Sequence, residues 1–314
     1  MDTGRISHFF VRVFLAHLAT SGIAAGAEGP KFGLPVDCRP GKNCWIVNYF
    51  DNDPGIGVRD YACGYRSYDG HGGTDFGIRD LAVMSQGVRV LAAAPGIVRR
   101  VRDGVSDIAV NESNRHAVEG RECGNGVVID HTGGWTTQYC HLRRGSLVVS
   151  AGDQVNTGQT LGLIGLSGLT EFPHVEFTVR YRGRKIDPFV GLQGSATCAV
   201  SKTRLWDDTA LAGLEYRPLI IFNAGFSDAI PRQDEVRRGQ HHQSAIAVDA
   251  PAVMFWVELL GVRAGDRLRL HVQAPDGDTV VEHGRTLERT QAYRFEFAGK
   301  RRRNQNWTPG RYIG

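Results

Sequence analysis

The chain has 314 residues, a formal net charge of +4, and 41% hydrophobic and 22% charged residues. These values suit a globular protein with room for two domains and a substantial core. The charge is too mild to call for nucleic acid, and it suits a negatively charged polymer such as a bacterial wall.

Forty glycines among short Val/Ile-rich runs predict an all-β chain with many turns. Residues 1–27 read as an export signal. Arg5 and Arg12 supply positive charge, residues 13–23 are largely apolar, and Ala25, Gly26 and Ala27 fit the small-x-small cleavage rule. No other run is long and apolar enough to span a bilayer, so no membrane insertion is expected once the signal is removed. Six cysteines follow, at 38, 44, 63, 123, 140 and 198. An even number in an exported chain favours disulfides, and the expected location is periplasmic or secreted. Cys38 and Cys44 flank Pro40 and Gly41, and Cys123 and Cys140 flank a predicted hairpin. The full pairing stays open.

Residues 28–60 form a lead-in rich in Pro, Gly and Asn, with one strand-like run at 44–50 (CWIVNYF). Residues 61–190 alternate strands and turns. Residues 88–94 and 97–102 read as two strands joined by the Pro95-Gly96 turn. Residues 103–122 are polar and aperiodic, as in a surface loop. Residues 126–131 and 135–141 flank Thr132, Gly133 and Gly134, a hairpin signal. Short strands are predicted at 147–149, 152–155 and 158–165. Residues 175–181 alternate as a half-buried strand does. Residues 191–204 read as a linker.

From 205 to 314 the pattern changes to strand candidates at 219–222, 253–259, 267–272, 278–281 and 293–297, with a turn at 274–277. This predicts an accessory β-sandwich, and its last residues read as a turn entering a strand that is cut short. The Lys300, Arg301, Arg302 and Arg303 run reads as a solvated turn.

The chemistry-bearing residues lie in the middle third. His71 and Asp75 could close on one divalent metal, since zinc accepts N and O ligands, although a Gly-rich turn can contain the same pair. The later motifs add weight: Ala94-Pro95-Gly96-Ile97-Val98, Tyr139-x-His141-Leu142, Gly152-Asp153-x-Val155-x-x-Gly158-Gln159-x-Leu161-Gly162, and Pro173-His174-x-Glu176-Phe177 before Asp187-Pro188. In this order, residues 68–188 resemble the lysostaphin-type (LytM-like) zinc endopeptidases, which cut peptide cross-bridges of peptidoglycan. The resemblance implies a duplicated-hybrid-motif fold of compact antiparallel β structure. It also implies Zn2+ on His71, Asp75 and the position held here by Glu176, with His141 and His174 as catalytic residues beside the metal.

Glu176 departs from the family, which has histidine there. Oxygen is an acceptable zinc donor, and His174 and Glu176 are two apart on a strand, so they share a face. Two carboxylates would neutralise the ion, weaken it as an electrophile and admit other divalent metals. Two readings follow. One is an exported zinc-dependent endopeptidase acting on peptidoglycan peptide. The other is a weakened or inactive peptidase-fold module that binds the wall or activates a partner hydrolase.

Overall fold

The computed structural model describes residue 1, residues 29–194 and residues 198–314; apart from Met1, the predicted export signal lies outside the described residues. In chain order the elements are β1 (Trp45–Asn48), β2 (Thr74–Gly77), α1 (Leu81–Gln86), β3 (Arg89–Leu91), β4 (Gly96–Arg102), β5 (Asn125–Asp130), β6 (Trp135–Leu142), β7 (Gln154–Val155), β8 (Thr160–Leu163), β9 (His174–Tyr181) and β10 (Arg184–Ile186). The C-terminal part adds α2 (Asp208–Gly213), β11 (Ile220–Ser227), α3 (Gln233–Arg237), β12 (Ala252–Val262), β13 (Arg267–Gln273), β14 (Thr279–Thr286) and β15 (Gln291–Arg301).

The main sheet is antiparallel, in the order β1-β2-β9-β6-β5-β4-β7, with β10 paired to β9. Period-2 alternation sends one side of β2 and β9 into the core, where Phe76, Val175 and Phe177 are fully buried. The opposite side carries Asp75, His174 and Glu176. Both flanks of the predicted peptidase region enter the same core: Phe32 and Val36 from before it, and Leu205, Trp206 and Leu214 from after it. The lead-in is therefore a structural part of this unit, and its strand β1 extends the sheet beyond β2.

The predicted hairpin at 132–134 forms, joining β5 to β6. The strands on either side of Pro95-Gly96 also form, but they do not pair with each other. β3 joins β8 in a separate two-stranded sheet, and β4 lies between β5 and β7. A turn signal specifies a local change of direction, while the partner depends on where the apolar faces meet. Residues 147–149 form no strand. The chain is mostly β as expected, with three short α-helices among the described residues. Asp80 and Asp207 cap α1 and α2 by accepting from Val83 N and Ala210 N. Helices of five or six residues are too short to display a 3.6-residue period.

All six cysteines are paired: Cys38–Cys44, Cys63–Cys198 and Cys123–Cys140. Cys198 lies in the predicted linker, part of which (residues 195–197) is outside the described residues. C-terminal to it, β11-β12-β15 and β13-β14 form two sheets that enclose Val257, Leu259, Leu270, Val272, Val281 and Ala298, as expected of a small sandwich. A third cluster joins this part to the main sheet, with Val47, Trp45 and Phe172 packed against Phe222, Leu260 and Tyr293. No helix among the described residues is long and apolar enough to cross a membrane.

Candidate active site

All five residues singled out in the sequence lie on or beside one face of the main sheet. Asp75 and Glu176 are direct cross-strand partners, and Gly77 pairs with His174. His71 approaches from the segment before β2. Its Nδ1 donates to the Tyr49 carbonyl at 2.8 Å, and its Nε2 lies 3.2 Å from Asp75 Oδ1. A carbonyl can only accept, so this bond places the proton on Nδ1 in the neutral ring and leaves the Nε2 lone pair facing Asp75.

The other two imidazoles are held in the same way. His141 Nδ1 donates to Ser167 O at 2.8 Å, and His174 Nδ1 donates to Phe172 O at 3.0 Å. Their Nε2 atoms lie 3.6 Å from Glu176 Oε2 and 3.7 Å from Asp75 Oδ1, respectively. Three imidazoles, each oriented by a backbone carbonyl, thus face two carboxylates. The two rings of His141 and His174 are 4.7 Å apart.

His141 reaches this face only through an unusual backbone conformation. Cys140 pairs with Glu176 on the site side, so strict alternation would send His141 to the core side with Tyr139. Instead, His141 has φ 65°, in the left-handed region, which is uncommon outside glycine. Its amide donates to Cys123 O, its carbonyl accepts from Gly165 N, and the Cys123–Cys140 bridge fastens the strand one residue away.

Gly73 serves a different steric need. A Cβ there would stand 2.8 Å from Glu176 Cγ and 3.0 Å from its Oε1, so only glycine lets the glutamate lie over the His71–Asp75 segment.

Burial and charge act in opposite senses on these groups. Burial works to lower the His71 pKa, but the Asp75 charge and hydrogen bond outweigh it and raise it to about 9. Burial opposes ionisation of Asp75, but His71, His174 and the Asn48 amide hold its carboxyl well below the usual range. Burial dominates at His174 and pushes it down to about 4. At Glu176 burial is again outweighed, chiefly by His141, and the carboxyl is held below its ordinary value.

The residues missed in the sequence are supporting ones. Asn48, on the lead-in strand, donates to Asp75 Oδ2 at 2.8 Å, and Thr178 donates to Glu176 Oε1 at 3.0 Å. Tyr68 lies over the His71 ring at 4.5 Å. Asn48 and Thr178 sit in ordinary strand text, with no motif to single them out. His131 is structural, bonded to Pro95 O and Thr137. His241 is bonded to Ser227 and Glu235, away from the five.

Two donors are spaced to share an ion. The 3.2 Å between His71 Nε2 and Asp75 Oδ1 is close to the edge, about 3.3 Å, of a tetrahedron with ligands about 2.0 Å from its centre. Glu176, the third expected donor, is turned toward His141 and Thr178, and among the described residues no three such groups gather into a metal-binding cluster.

Residues 69–188 match the model described as Peptidase family M23. This domain belongs to peptidase family M23. The M23 domain is similar to an uncharacterized metalloprotease of Haemophilus influenzae, with 29% identity over 135 residues, 43% of this chain and 24% of that protein. It is also similar to the peptidoglycan DD-endopeptidase ShyA of Vibrio cholerae, with 31% identity over 117 residues, 37% of this chain and 22% of that protein. The chain thus spans about a quarter or less of the curated relatives it matches. Among solved structures, the catalytic domain of the prophage-encoded M23 protein EnpA from Enterococcus faecalis aligns at 22% identity and TM-score 0.34, covering 52% of this chain and 96% of that one.

Proposed function

We propose that this chain is an extracytoplasmic metal-dependent endopeptidase that hydrolyses peptide bonds of bacterial peptidoglycan. One observation carries the reading: three histidines, each with Nδ1 tied to a backbone carbonyl, present Nε2 toward two carboxylates in one cleft. The M23 relatives named as peptidoglycan DD-endopeptidases support the substrate class. Three disulfides support a compartment outside the reducing cytoplasm.

The donor chemistry fits a divalent ion, zinc first, which His71 Nε2 and Asp75 would hold as they stand, with Glu176 joining as third donor once it turns from His141. The chemistry supplied there when an ion is bound is Lewis acidity toward a carbonyl and a more acidic water. The chain's own contribution is proton transfer. His141 and His174 both offer an Nε2 to the cleft. One takes a proton from the attacking water at its Nε2 lone pair; the other, entering the reaction protonated on both nitrogens, donates from Nε2 to the oxyanion or the leaving amine. Buried carbonyl partners keep both rings in one orientation, so neither has to reorganise during the reaction.

A second reading has its own observation. Glu176 pairs with His141 rather than with the His71–Asp75 pair, as a domain that binds wall or activates a partner hydrolase could tolerate. Metal content of the purified protein and release of soluble muropeptides from purified sacculi separate the two. The hydrolase reading expects about one metal per chain, product release, and loss of both after chelation. Sacculus binding with neither metal nor product would establish the second reading.

A further inference from the structure

The cleft over the site is not built by the M23 domain alone. It has a volume of about 750 Å³, and its wall opposite Asp75, His141, His174 and Glu176 is formed by Phe222, Arg237, Glu258, Leu260 and Tyr293 of the C-terminal part. That wall is fixed in place. Phe222, Leu260 and Tyr293 pack with Val47, Trp45 and Phe172 across the junction, and Phe172 itself stacks on His174 at 4.6 Å.

The wall also carries a built polar group. Glu258 is 1% exposed and accepts from Asn223 at 2.8 Å and from the Tyr293 hydroxyl at 2.6 Å. These bonds hold the Tyr293 ring, and the Arg237 guanidinium lies over that ring, 4.9 Å from its centre. Arg237 faces the cleft at the end of α3. Across the mouth its ion-pair partner is Glu171 on the M23 side, at 3.8 Å, longer than a hydrogen bond. Glu171 is itself largely exposed, with 67% of its side chain in solvent. The guanidinium also bonds the Tyr293 hydroxyl and lies in the field of the Glu258 carboxylate, but its partner at the mouth is loose and solvated, and that edge can receive another carboxylate.

We propose that the C-terminal sheet is the second wall of the substrate cleft, and that Arg237 is a specificity-determining residue that binds a carboxylate of the peptide. The proposal rests on the peptidoglycan-peptide reading for its ligand. It adds which part of the chain selects that ligand and by what chemistry. Glu171 occupies the guanidinium when the cleft is empty and yields it to the substrate.

The test is a binding measurement that does not depend on cutting. The His141→Ala protein is titrated by calorimetry with a cross-linked stem peptide bearing free carboxylates, and with the same peptide fully amidated. The free acid should bind about tenfold or more tightly than the amide, the scale of a charge-assisted pair. Adding Arg237→Gln should remove the difference, and Arg237→Lys should restore part of it. Adding Glu171→Gln should tighten the free acid and leave the amide unchanged, a gain that misfolding cannot mimic. Equal affinity for the two peptides with Arg237 intact, a preference that survives Arg237→Gln, or no gain from Glu171→Gln would each overturn the proposal. Absence of hydrolysis by the wild-type chain would strike the hydrolase reading and leave this preference measurable.

Discussion

The two halves of the site are held with different stiffness. His71 and Asp75 have side chains 2% and 4% exposed, and each has a further partner, Tyr49 O and Asn48. His141 is as buried and has Ser167 O as its further partner, but its carboxylate Glu176, which has the Thr178 hydroxyl, is 22% exposed. The first half is set before anything binds. The second half retains a side chain that can turn. A glutamate has one more rotatable bond than an aspartate, so it can take up the proposed ligand position or withdraw from it at small cost. The difference locates the departure from the family pattern in the adjustable half.

Four measurements test that contrast. The largest effect is expected from Asp75→Ala, which leaves His71 and Asn48 facing a buried gap. Metal content should fall below detection and muropeptide release by at least about a thousandfold, the scale of losing a principal catalytic electrostatic group. Retained metal would show that the rigid half is not where the ion sits.

Next is Cys123→Ser with Cys140→Ser. The bridge spans 17 residues, and its loss should cost about 3 kcal/mol in denaturant unfolding. Activity should fall further than metal content, because the bridge braces the left-handed His141 and not the His71–Asp75 pair. Equal losses in both would refute the independence of the halves.

The third measurement is the stability of metal-free protein against pH. His71 is raised from 6.5 to about 9, so its contribution is present below pH 6.5 and is lost as pH rises through 9. His174 is lowered from 6.5 to about 4, so the folded state resists its protonation and stability falls as pH drops from 6.5 toward 4. The two together predict a maximum near pH 6.5, with each limb worth about 3 kcal/mol. Thermal melts after chelation test this. His174→Gln should flatten the acid limb only, and a flat profile in the parent protein would contradict both assignments.

The smallest effects separate the two supporting bonds. Asn48→Ala should weaken metal affinity by about 10–100-fold, the usual cost of losing a partner that orients a ligand. Thr178→Val should cost only a few-fold, because Glu176 is partly solvated and turns without it. A larger loss at Thr178 would mean that Glu176 is as rigidly set as Asp75.

Much of the site was legible before folding. His71, Asp75, His141, His174 and Glu176 stand in motifs whose spacing is itself chemical, and the strand at 174–181 alternates strictly enough to place His174 and Glu176 on one side. Asn48 was not legible, because nothing in CWIVNYF separates a carboxylate partner from an ordinary strand residue. The position of His141 was not legible either, since period-2 reasoning sends it to the wrong face and only its left-handed backbone returns it. The partners of β3 and β4 escaped for a related reason. A Pro-Gly turn is a local signal, whereas strand pairing is settled by distant surfaces.

Local sequence is enough for the β character, the turns, the even set of cysteines and the chemical types in the cleft, because each is read from single residues or from neighbours within a few positions. Tertiary structure alone decided which carbonyl orients each imidazole, which carboxylate each histidine faces, and that the C-terminal sheet stands across the cleft. Those are contacts between segments up to more than a hundred residues apart. Their geometry follows from how the apolar faces pack, and no local pattern encodes it.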